Sequence, residues 1–329
     1  MQHRTRVALA LGSGGARGYA HIGAIQVLEE RGAEIVAVAG ASMGALVGGL
    51  YAAGKLHEYR EWITGLTQFD MLRLLDPSVS APGVIRAEKI FARVHELVGD
   101  AQIEDLPVTF TAVATDLFAR KEVWFQRGSL EVAMRASIAI PGVFTPVMLN
   151  GRLLVDGGVM NPVPIAPISS APADVLIAID LGGERRDLLA GNPATETAEE
   201  RPVDEWIERF RRGTAHLIDR DLIRSLIVRL GGAADPVSVA DESTASAVES
   251  LGPPPAGVGK FDVINQSLET MQSELTRHLL AANPPDVLIT VSKDACRTMD
   301  FYRASDMIEL GRSLTVEALD SAALPSLSS

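Results

Sequence analysis

Apolar runs alternate with helix-forming segments along the first part of the chain. The apolar run at 7–11 and the β-branched run at 35–39 have the composition of buried strands, and the segments at 19–31 and 43–54 have that of helices. Glycine-rich turns join each strand to the helix that follows it. The sequence therefore predicts an α/β fold, in which helices cover a mainly parallel sheet.

The later hydrophobic pattern extends this sheet. Asn150-Gly151 is the preferred two-residue turn of a hairpin, so its apolar flanks predict strands at 147–149 and 152–155. Residues 174–181 are almost wholly apolar, as expected for a strand that is covered on both faces. Further strands are predicted at 108–116, 122–126 and 287–291, and further helices within 55–105, from residue 131, and at 261–281 and 302–319.

The character of the sequence changes after residue 183. Residues 203–230 combine apolar helical faces with interleaved arginines. This pattern fits either a helix pair packed on its own domain or a peripheral contact with a membrane. Residues 231–260 are rich in Ala, Ser, Gly and Pro and predict a loop. We therefore predict a core over 1–183, a helical and loop-rich insertion over 184–260, and a segment over 261–329 that completes the core domain.

Composition and charge narrow the class of protein. The chain has 329 residues, of which 47% are hydrophobic and 22% charged, as is ordinary for a globular protein with a large core. Its formal net charge of −12 argues against nucleic acid as a partner. Cys296 is the single cysteine, which excludes an intramolecular disulfide and a cysteine-ligated zinc site. No secretory signal precedes the first strand, so we expect a cytoplasmic protein.

Ser42 occupies the strongest chemical motif in the chain. It lies within Gly-x-Ser-x-Gly, with Gly40 and Gly44 on either side, between a predicted strand and a predicted helix. That arrangement predicts a nucleophile elbow, in which the serine hydroxyl projects over a helix N-terminus. A membrane span is the alternative, because residues 35–54 contain no charged side chain. The scarcity of Leu and Phe in this segment favours the elbow.

The base that would activate the serine is not part of the elbow. A Ser-His-Asp hydrolase has several strands before its nucleophile, whereas one strand–helix unit precedes Ser42, and the six histidines lie in contexts typical of core or surface positions. Asp156 is the better candidate, because it ends a predicted strand and is followed by Gly157 and Gly158. Burial would raise its proton affinity to that of a useful base. A simple Asp-Gly turn is the alternative.

The glycine-rich turn at 12–18 follows the first strand and presents backbone amides to an anion. A dinucleotide pyrophosphate is one candidate, but Arg17 occupies the third glycine position of that fingerprint and the second strand has no terminal acid. The oxyanion of an acyl-transfer intermediate is the other candidate. Gly14, Gly15 and Ala16 are its candidate donors, and Arg17 would add charge or brace the loop.

Together these blocks resemble the motifs of the patatin-like phospholipases, and residues 261–319 resemble the bacterial members closest to neuropathy target esterase. The blocks are Gly14-Gly15-Ala16-Arg17-Gly18 with His21-Ile22-Gly23, Gly40-Ala41-Ser42-Met43-Gly44, Ala136-Ser137-Ile138-Ala139-Ile140-Pro141-Gly142-Val143-Phe144, and Asp156-Gly157-Gly158. Ser13 departs from the family pattern, because many members have a third glycine there. The departure leaves the backbone donors in place.

The resemblance implies a three-layer α/β/α fold and a Ser-Asp dyad that works without histidine. By motif position, Ser42 would be the nucleophile, Asp156 the base, and the loop at Gly14 and Gly15 the oxyanion hole. The implied reaction is hydrolysis of fatty-acyl esters of phospholipids or lysophospholipids, with no metal or organic cofactor. A membrane-associated adaptor with a weak or inactive site, and a nucleotide-dependent oxidoreductase, are the competing hypotheses. The sequence leaves the oligomeric state open.

Overall fold

A computed structural model of the chain describes residues 4–74, 88–183, 260–322 and 327. The chain forms two compact units, one made of Met1–Thr197 and Leu268–Ser329 and the other of Ala198–Ser267. Of the second unit, the structure describes residues 260–267. The predicted helix pair at 203–230 and most of the predicted loop at 231–260 lie outside the described residues.

In the described part of the chain, eight strands form one sheet in the order β5-β6-β3-β2-β1-β7-β8, with β4 paired to β3. The strands β3, β2, β1, β7 and β8 are mutually parallel, while β4 and β6 run antiparallel to β3 and β5 runs antiparallel to β6. This order confirms the predicted mainly parallel sheet. The strands are β1 (Arg6–Leu11), β2 (Glu34–Ala41), β3 (Thr109–Asp116), β4 (Lys121–Phe125), β5 (Val147–Leu149), β6 (Arg152–Asp156), β7 (Val175–Gly183) and β8 (Val287–Ser292).

Helices cover both faces of the sheet. Alternate residues of a strand point to opposite faces, so Leu9 of β1 joins a large cluster that includes residues of the first, second and last helices. Ala10 of the same strand joins a smaller cluster with Ile168, against which Leu280 also packs. The helices are α1 (Ala20–Glu30), α2 (Met43–Ala52), α3 (Leu56–Thr64), α4 (Gln68–Leu74), α5 (Glu88–Val98), α6 (Leu130–Ser137), α7 (Lys260–Ala282) and α8 (Ala304–Ser321). The layers are therefore α/β/α.

The charge-free segment 35–54 does not form one continuous helix. It is divided between β2 and α2, which meet in a sharp turn at Ser42. The alternative interpretation of this segment as a membrane span is therefore wrong, because Gly40 and Gly44 lie on either side of a turn between a strand and a helix. Across the part of the chain that the structure describes, no helix combines the length and the hydropathy needed to cross a bilayer.

Candidate active site

Ser42 lies at the turn between β2 and α2 in a strained backbone conformation. Its φ of 55° and ψ of −125° are rarely adopted by residues other than glycine. A Cβ atom at Gly40 would overlap the carbonyl of Gly44, and one at Gly44 would overlap the carbonyl of Leu11. Both motif glycines are therefore required by close backbone approach. The serine is 1% exposed at the N-terminus of α2.

A second serine holds this strained turn in place. The amide of Ser42 donates to Ser137 Oγ at 2.9 Å, and Ser137 Oγ donates in turn to the carbonyl of Val113 at 2.6 Å. Ser137 is fully buried at the end of α6, so water cannot replace either bond. The sequence reasoning assigned no role to Ser137, although the residue belongs to the segment at 136–144 that resembles the family.

Asp156 ends β6 and faces the nucleophile. Its Oδ1 accepts a hydrogen bond of 2.7 Å from the amide of Gly158, which holds the carboxylate over the turn. Its Oδ2 is buried and accepts no well-aligned hydrogen bond from the described part of the protein. The Ser42 hydroxyl nevertheless lies close enough to stabilise the charged carboxylate and lower its pKa. Nucleophile–base contacts are often poorly aligned before substrate binds. The two side chains of the predicted dyad therefore come together.

Burial sets the proton affinity of Asp156. Loss of hydration disfavours the charged carboxylate and raises its pKa from 3.8 to about 7, although the interactions with Ser42 and with the Gly158 amide act in the opposite direction. A carboxylate with this pKa is half ionised at neutral pH and accepts a proton readily. These are the properties required of a general base.

The glycine-rich loop presents two unoccupied amides. Gly12 donates its amide to the carbonyl of Ile179 in β7, and Ser13 donates to the carbonyl of Pro162. Ala16 donates its amide to the carbonyl of Thr298 at 2.9 Å. Within the described ranges, the amides of Gly14 and Gly15 have no protein acceptor. Of the three amides expected to stabilise an oxyanion, that of Ala16 is therefore already occupied, and those of Gly14 and Gly15 are available.

Arg17 and His21 brace this loop from behind. The Arg17 side chain is 6% exposed and donates to the carbonyl of Lys293 at 3.2 Å, so it stabilises the loop against the segment after β8. His21 Nε2 bonds to the carbonyl of Gly12 at 2.8 Å. Burial lowers the pKa of His21 to about 4, although the bond to Gly12 acts in the opposite direction. The neutral ring donates through Nε2, and its role is to position the loop.

Helix α7 supports the opposite side of the site. The side chain of Gln272 donates to the carbonyl of Gly158 at 2.9 Å, next to the amide that holds Asp156. Thr298, whose carbonyl accepts the Ala16 amide, also donates its side-chain hydroxyl to the carboxylate of Glu269 in α7, at 3.3 Å. The contact between Gln272 and Gly158 joins residues more than a hundred positions apart in the chain, and no local pattern in the sequence identifies it.

A cavity with apolar walls opens beside Ser42 and Gly15. None of the described residues that line it carries a charged side chain. The walls come from α2, α3, α4 and α5 and from the segment at 138–144. The other lining residues are Tyr19, Met43, Leu46, Tyr59, Trp62, Ile63, Met71, Leu74, Ile90, Phe91, Ile138, Ile140, Phe144 and Phe301. Such a wall suits a hydrocarbon chain.

None of the described histidines bonds to Ser42 or Asp156. His95 bonds to Glu131 at the surface, and His57 lies beside Glu61 on α3. His3 and His216 lie outside the described residues. Among the described side chains, no group of three His, Cys, Asp or Glu residues is arranged to hold a metal ion.

Comparison with known proteins agrees with these motifs. The family model described as "Patatin-like phospholipase" matches residues 9–168. An uncharacterized NTE family protein of Mycobacterium tuberculosis is 47% identical over an alignment that covers 96% of this chain and 91% of that protein. Neuropathy target esterase sws of Drosophila melanogaster is 33% identical over 54% of this chain and 13% of that protein. Lysophospholipase nte1 of Emericella nidulans is 34% identical over 54% of this chain and 12% of that protein. These findings support a lipid hydrolase. The chain belongs to the patatin-like phospholipase family, in its neuropathy-target-esterase group.

Proposed function

We propose that the chain hydrolyses fatty-acyl esters of phospholipids or lysophospholipids through a dyad of Ser42 and Asp156. The observation that carries this proposal is the buried Asp156 carboxylate facing the Ser42 hydroxyl, with its pKa raised to about 7. A serine hydroxyl is a weak nucleophile until a base accepts its proton. A base with this proton affinity accepts that proton without the help of a histidine.

In the proposed first step, Ser42 Oγ attacks the ester carbonyl carbon while Asp156 takes the hydroxyl proton. The carbonyl oxygen becomes an oxyanion and accepts hydrogen bonds from the free amides of Gly14 and Gly15. In comparable sites each such donor contributes roughly 3 kcal/mol to the stability of the transition state. The N-terminus of α2 adds a favourable dipole at the same place.

The intermediate then collapses. The bond between the carbonyl carbon and the alcohol oxygen breaks, and Asp156 returns its proton to the departing alcohol. An acyl group remains on Ser42. Asp156 next takes a proton from water, whose oxygen attacks the acyl carbon. The bond between that carbon and Ser42 Oγ then breaks, Asp156 returns the proton to Ser42 Oγ, and the fatty acid is released. The same two side chains therefore serve both half-reactions.

The cavity supports a fatty-acyl substrate. Among the described lining residues, the polar side-chain groups are the hydroxyls of Ser42, Tyr19 and Tyr59 and the indole N–H of Trp62. The rest of this lining is apolar, so a hydrocarbon chain can replace water there at a gain of about 25 cal/mol per Å² of apolar surface buried. The relatives named as a lysophospholipase and as a neuropathy target esterase support the same class of ester.

A fluorophosphonate probe with turnover measurements tests the proposal. The full-length protein should be labelled at Ser42 and should hydrolyse lysophospholipids, phospholipids or short esters. Ser42→Ala should abolish labelling and turnover, and Asp156→Asn should lower turnover by at least about a thousandfold, because the proton has no acceptor. Ser169→Ala and Asp105→Asn change residues of the same types outside the site and serve as matched controls.

Two outcomes would contradict the proposal. Full turnover by a folded Asp156→Asn protein would mean that another group is the base. A folded wild-type protein that is neither labelled nor active on any ester of the panel would favour the adaptor hypothesis. Circular dichroism and urea unfolding of each variant establish that the fold is intact.

A further inference from the structure

Two neighbouring hairpins extend past the carboxyl end of β2, where the nucleophile elbow lies. Ala41, the last residue of β2, pairs with Val113, but β3 continues to Asp116 before it turns into β4. At about 3.3 Å per residue, Leu117 lies about 13 Å beyond the pairing with Ala41. The β5–β6 hairpin runs alongside, because the amide of Leu117 donates to the carbonyl of Leu153 at 3.0 Å.

The tips of these hairpins expose large apolar side chains. Phe118 is 72% exposed, Met148 62% and Leu117 42%. Met148 pairs with Leu153, and the carbonyl of Leu153 accepts the amide of Leu117. Met148, Leu153 and Leu117 therefore form a row across the two hairpins, and Phe118 follows Leu117 at the tip. Scattered exposed apolar residues are ordinary, but a group at adjoining loop tips marks an interaction site.

Cationic side chains accompany this row. Arg120 and Lys121 are exposed, and within the described ranges neither forms an ion pair. The Arg152 side chain is 58% exposed, and its Nε lies 3.9 Å from the carboxylate of Asp116. Asp116 is itself buried, where it accepts two amides of the β3–β4 turn, and Glu122 accepts hydrogen bonds from neighbouring side chains. Arg120, Lys121 and Arg152 outnumber the two carboxylates, so the net charge at the tips is positive.

We infer that this hairpin surface docks onto a membrane that contains anionic phospholipids. The hairpin surface consists of Leu117, Phe118, Arg120, Lys121, Met148 and Arg152. Its apolar side chains would enter the boundary between headgroups and acyl chains, while its cations would lie among the phosphates. The chain as a whole has a formal net charge of −12, so an anionic membrane repels it in other orientations. The contrast between this negative net charge and the cations of the hairpin surface would orient the protein with its hairpins toward the membrane.

This orientation brings the elbow side of the sheet to the lipid. Ser42 follows β2 at the edge of the sheet from which the hairpins project. A docked protein would therefore hold its nucleophile on the side that faces the source of ester. That benefit rests on the proposed hydrolase activity, whereas the docking itself depends only on the hairpin surface.

Vesicle flotation of the full-length Ser42→Ala protein tests the docking without lipid hydrolysis. The probes are phosphatidylcholine vesicles with and without phosphatidylglycerol. Lys121→Gln should lower the partition coefficient for anionic vesicles about fivefold at moderate salt. High salt screens the charge and should abolish this difference. The pair Leu117→Ser and Phe118→Ser should lower the coefficient by at least about tenfold at either salt concentration, because its effect is apolar.

Matched substitutions elsewhere provide the controls. Leu288 is 41% exposed on β8 at the far edge of the sheet, and Leu288→Ser should leave flotation unchanged. Lys55→Gln, just after the end of α2, should also leave it unchanged. Unchanged flotation of the Leu117→Ser, Phe118→Ser protein would overturn the inference. A Ser42→Ala protein that does not float with anionic vesicles would also overturn it.

Two further measurements distinguish membrane docking from self-association and from damage to the reacting groups. Light scattering that shows a dimer dissociated by the hairpin substitutions, without vesicle binding, would assign the surface to a second copy and overturn the inference. With Ser42 restored, the hairpin variants should keep wild-type turnover of a water-soluble short-chain ester. If the wild type does not hydrolyse that ester, the proposed function is contradicted. The flotation result does not depend on hydrolysis and still tests the docking.

Discussion

Replacing Asp156 by asparagine should stabilise the fold at neutral and alkaline pH, and the gain should vanish in acid. In the folded protein burial raises the pKa of this carboxyl group to about 7, whereas its ordinary value is 3.8. Between these two pKa values, Asp156 therefore keeps its proton in the folded protein and has released it in the unfolded protein. The contribution of Asp156 to the free energy of unfolding of the wild type therefore falls as pH rises from about 4 to about 7 and is constant above that.

The size of the effect follows from the two pKa values. Each pH unit between them corresponds to about 1.4 kcal/mol, so the burial of the charge costs about 4 kcal/mol above pH 7. The asparagine side chain that replaces Asp156 carries no charge at any of these pH values. The difference in unfolding free energy between the Asp156→Asn protein and the wild type should thus increase by about 4 kcal/mol between pH 4 and pH 8. Other groups titrate equally in both proteins, and their contributions cancel in the difference.

Urea unfolding across this pH range measures the difference. The Ser42→Ala protein is a second arm, because the Ser42 hydroxyl lowers the pKa of Asp156 and its removal should move the midpoint to higher pH. A difference between wild type and Asp156→Asn that stays within about 1 kcal/mol from pH 4 to pH 8 would refute the reasoning. It would mean that the folded protein keeps this carboxylate ionised and that its proton affinity is not matched to catalysis at neutral pH.

Four more predictions concern activity. The value of kcat/KM for a soluble ester should rise about tenfold per pH unit below pH 7 and level off above it, because Asp156 acts in its ionised form; a flat profile would exclude this base. Ser137→Ala should slow fluorophosphonate labelling and lower the free energy of unfolding by about 1–3 kcal/mol, since two buried hydrogen bonds are lost; unchanged labelling would mean that the turn is held by other contacts. Gln272→Leu should lower kcat with little change in KM and move the pH profile upward, because the Gly158 turn is released; a change in KM alone would argue against this positioning role. Leu46→Trp should reduce turnover of long-chain esters but not of short-chain esters, because the indole fills part of the cavity. An equal loss of turnover on both kinds of ester would mean that the acyl chain binds elsewhere.

The local patterns of the sequence predicted most of the fold and the two residues of the proposed dyad. The strands and helices expected within 4–74, 108–183 and 260–322 are present, because each has its own hydrophobic period and turn residues. The elbow at Ser42 needs glycines at fixed offsets, and those are visible without any tertiary information. The strand end and two glycines at Asp156 also fit a simple Asp-Gly turn, and the combination with the elbow and the glycine-rich loop is what favoured a base there.

The partners of the site could not be predicted in the same way. Gln272 and Ser137 act through hydrogen bonds to distant backbone groups, and nothing in their local sequence indicates those groups. Ala16 had the same local signal as its two glycine neighbours. Its amide is occupied because Thr298, far along the chain, supplies a carbonyl. Such contacts depend on how the layers pack, which the hydrophobic period does not specify.

The distant bracing of the glycine-rich loop has a consequence for synthesis on the ribosome. The loop at 12–18 leaves the exit tunnel early, but the carbonyls that hold Ala16 and Arg17 belong to Thr298 and Lys293. A nascent chain can therefore form the serine turn long before it can fix the amides that face it. If the proposed activity requires these amides, we expect the order of synthesis to disfavour lipid cleavage by a half-made polypeptide.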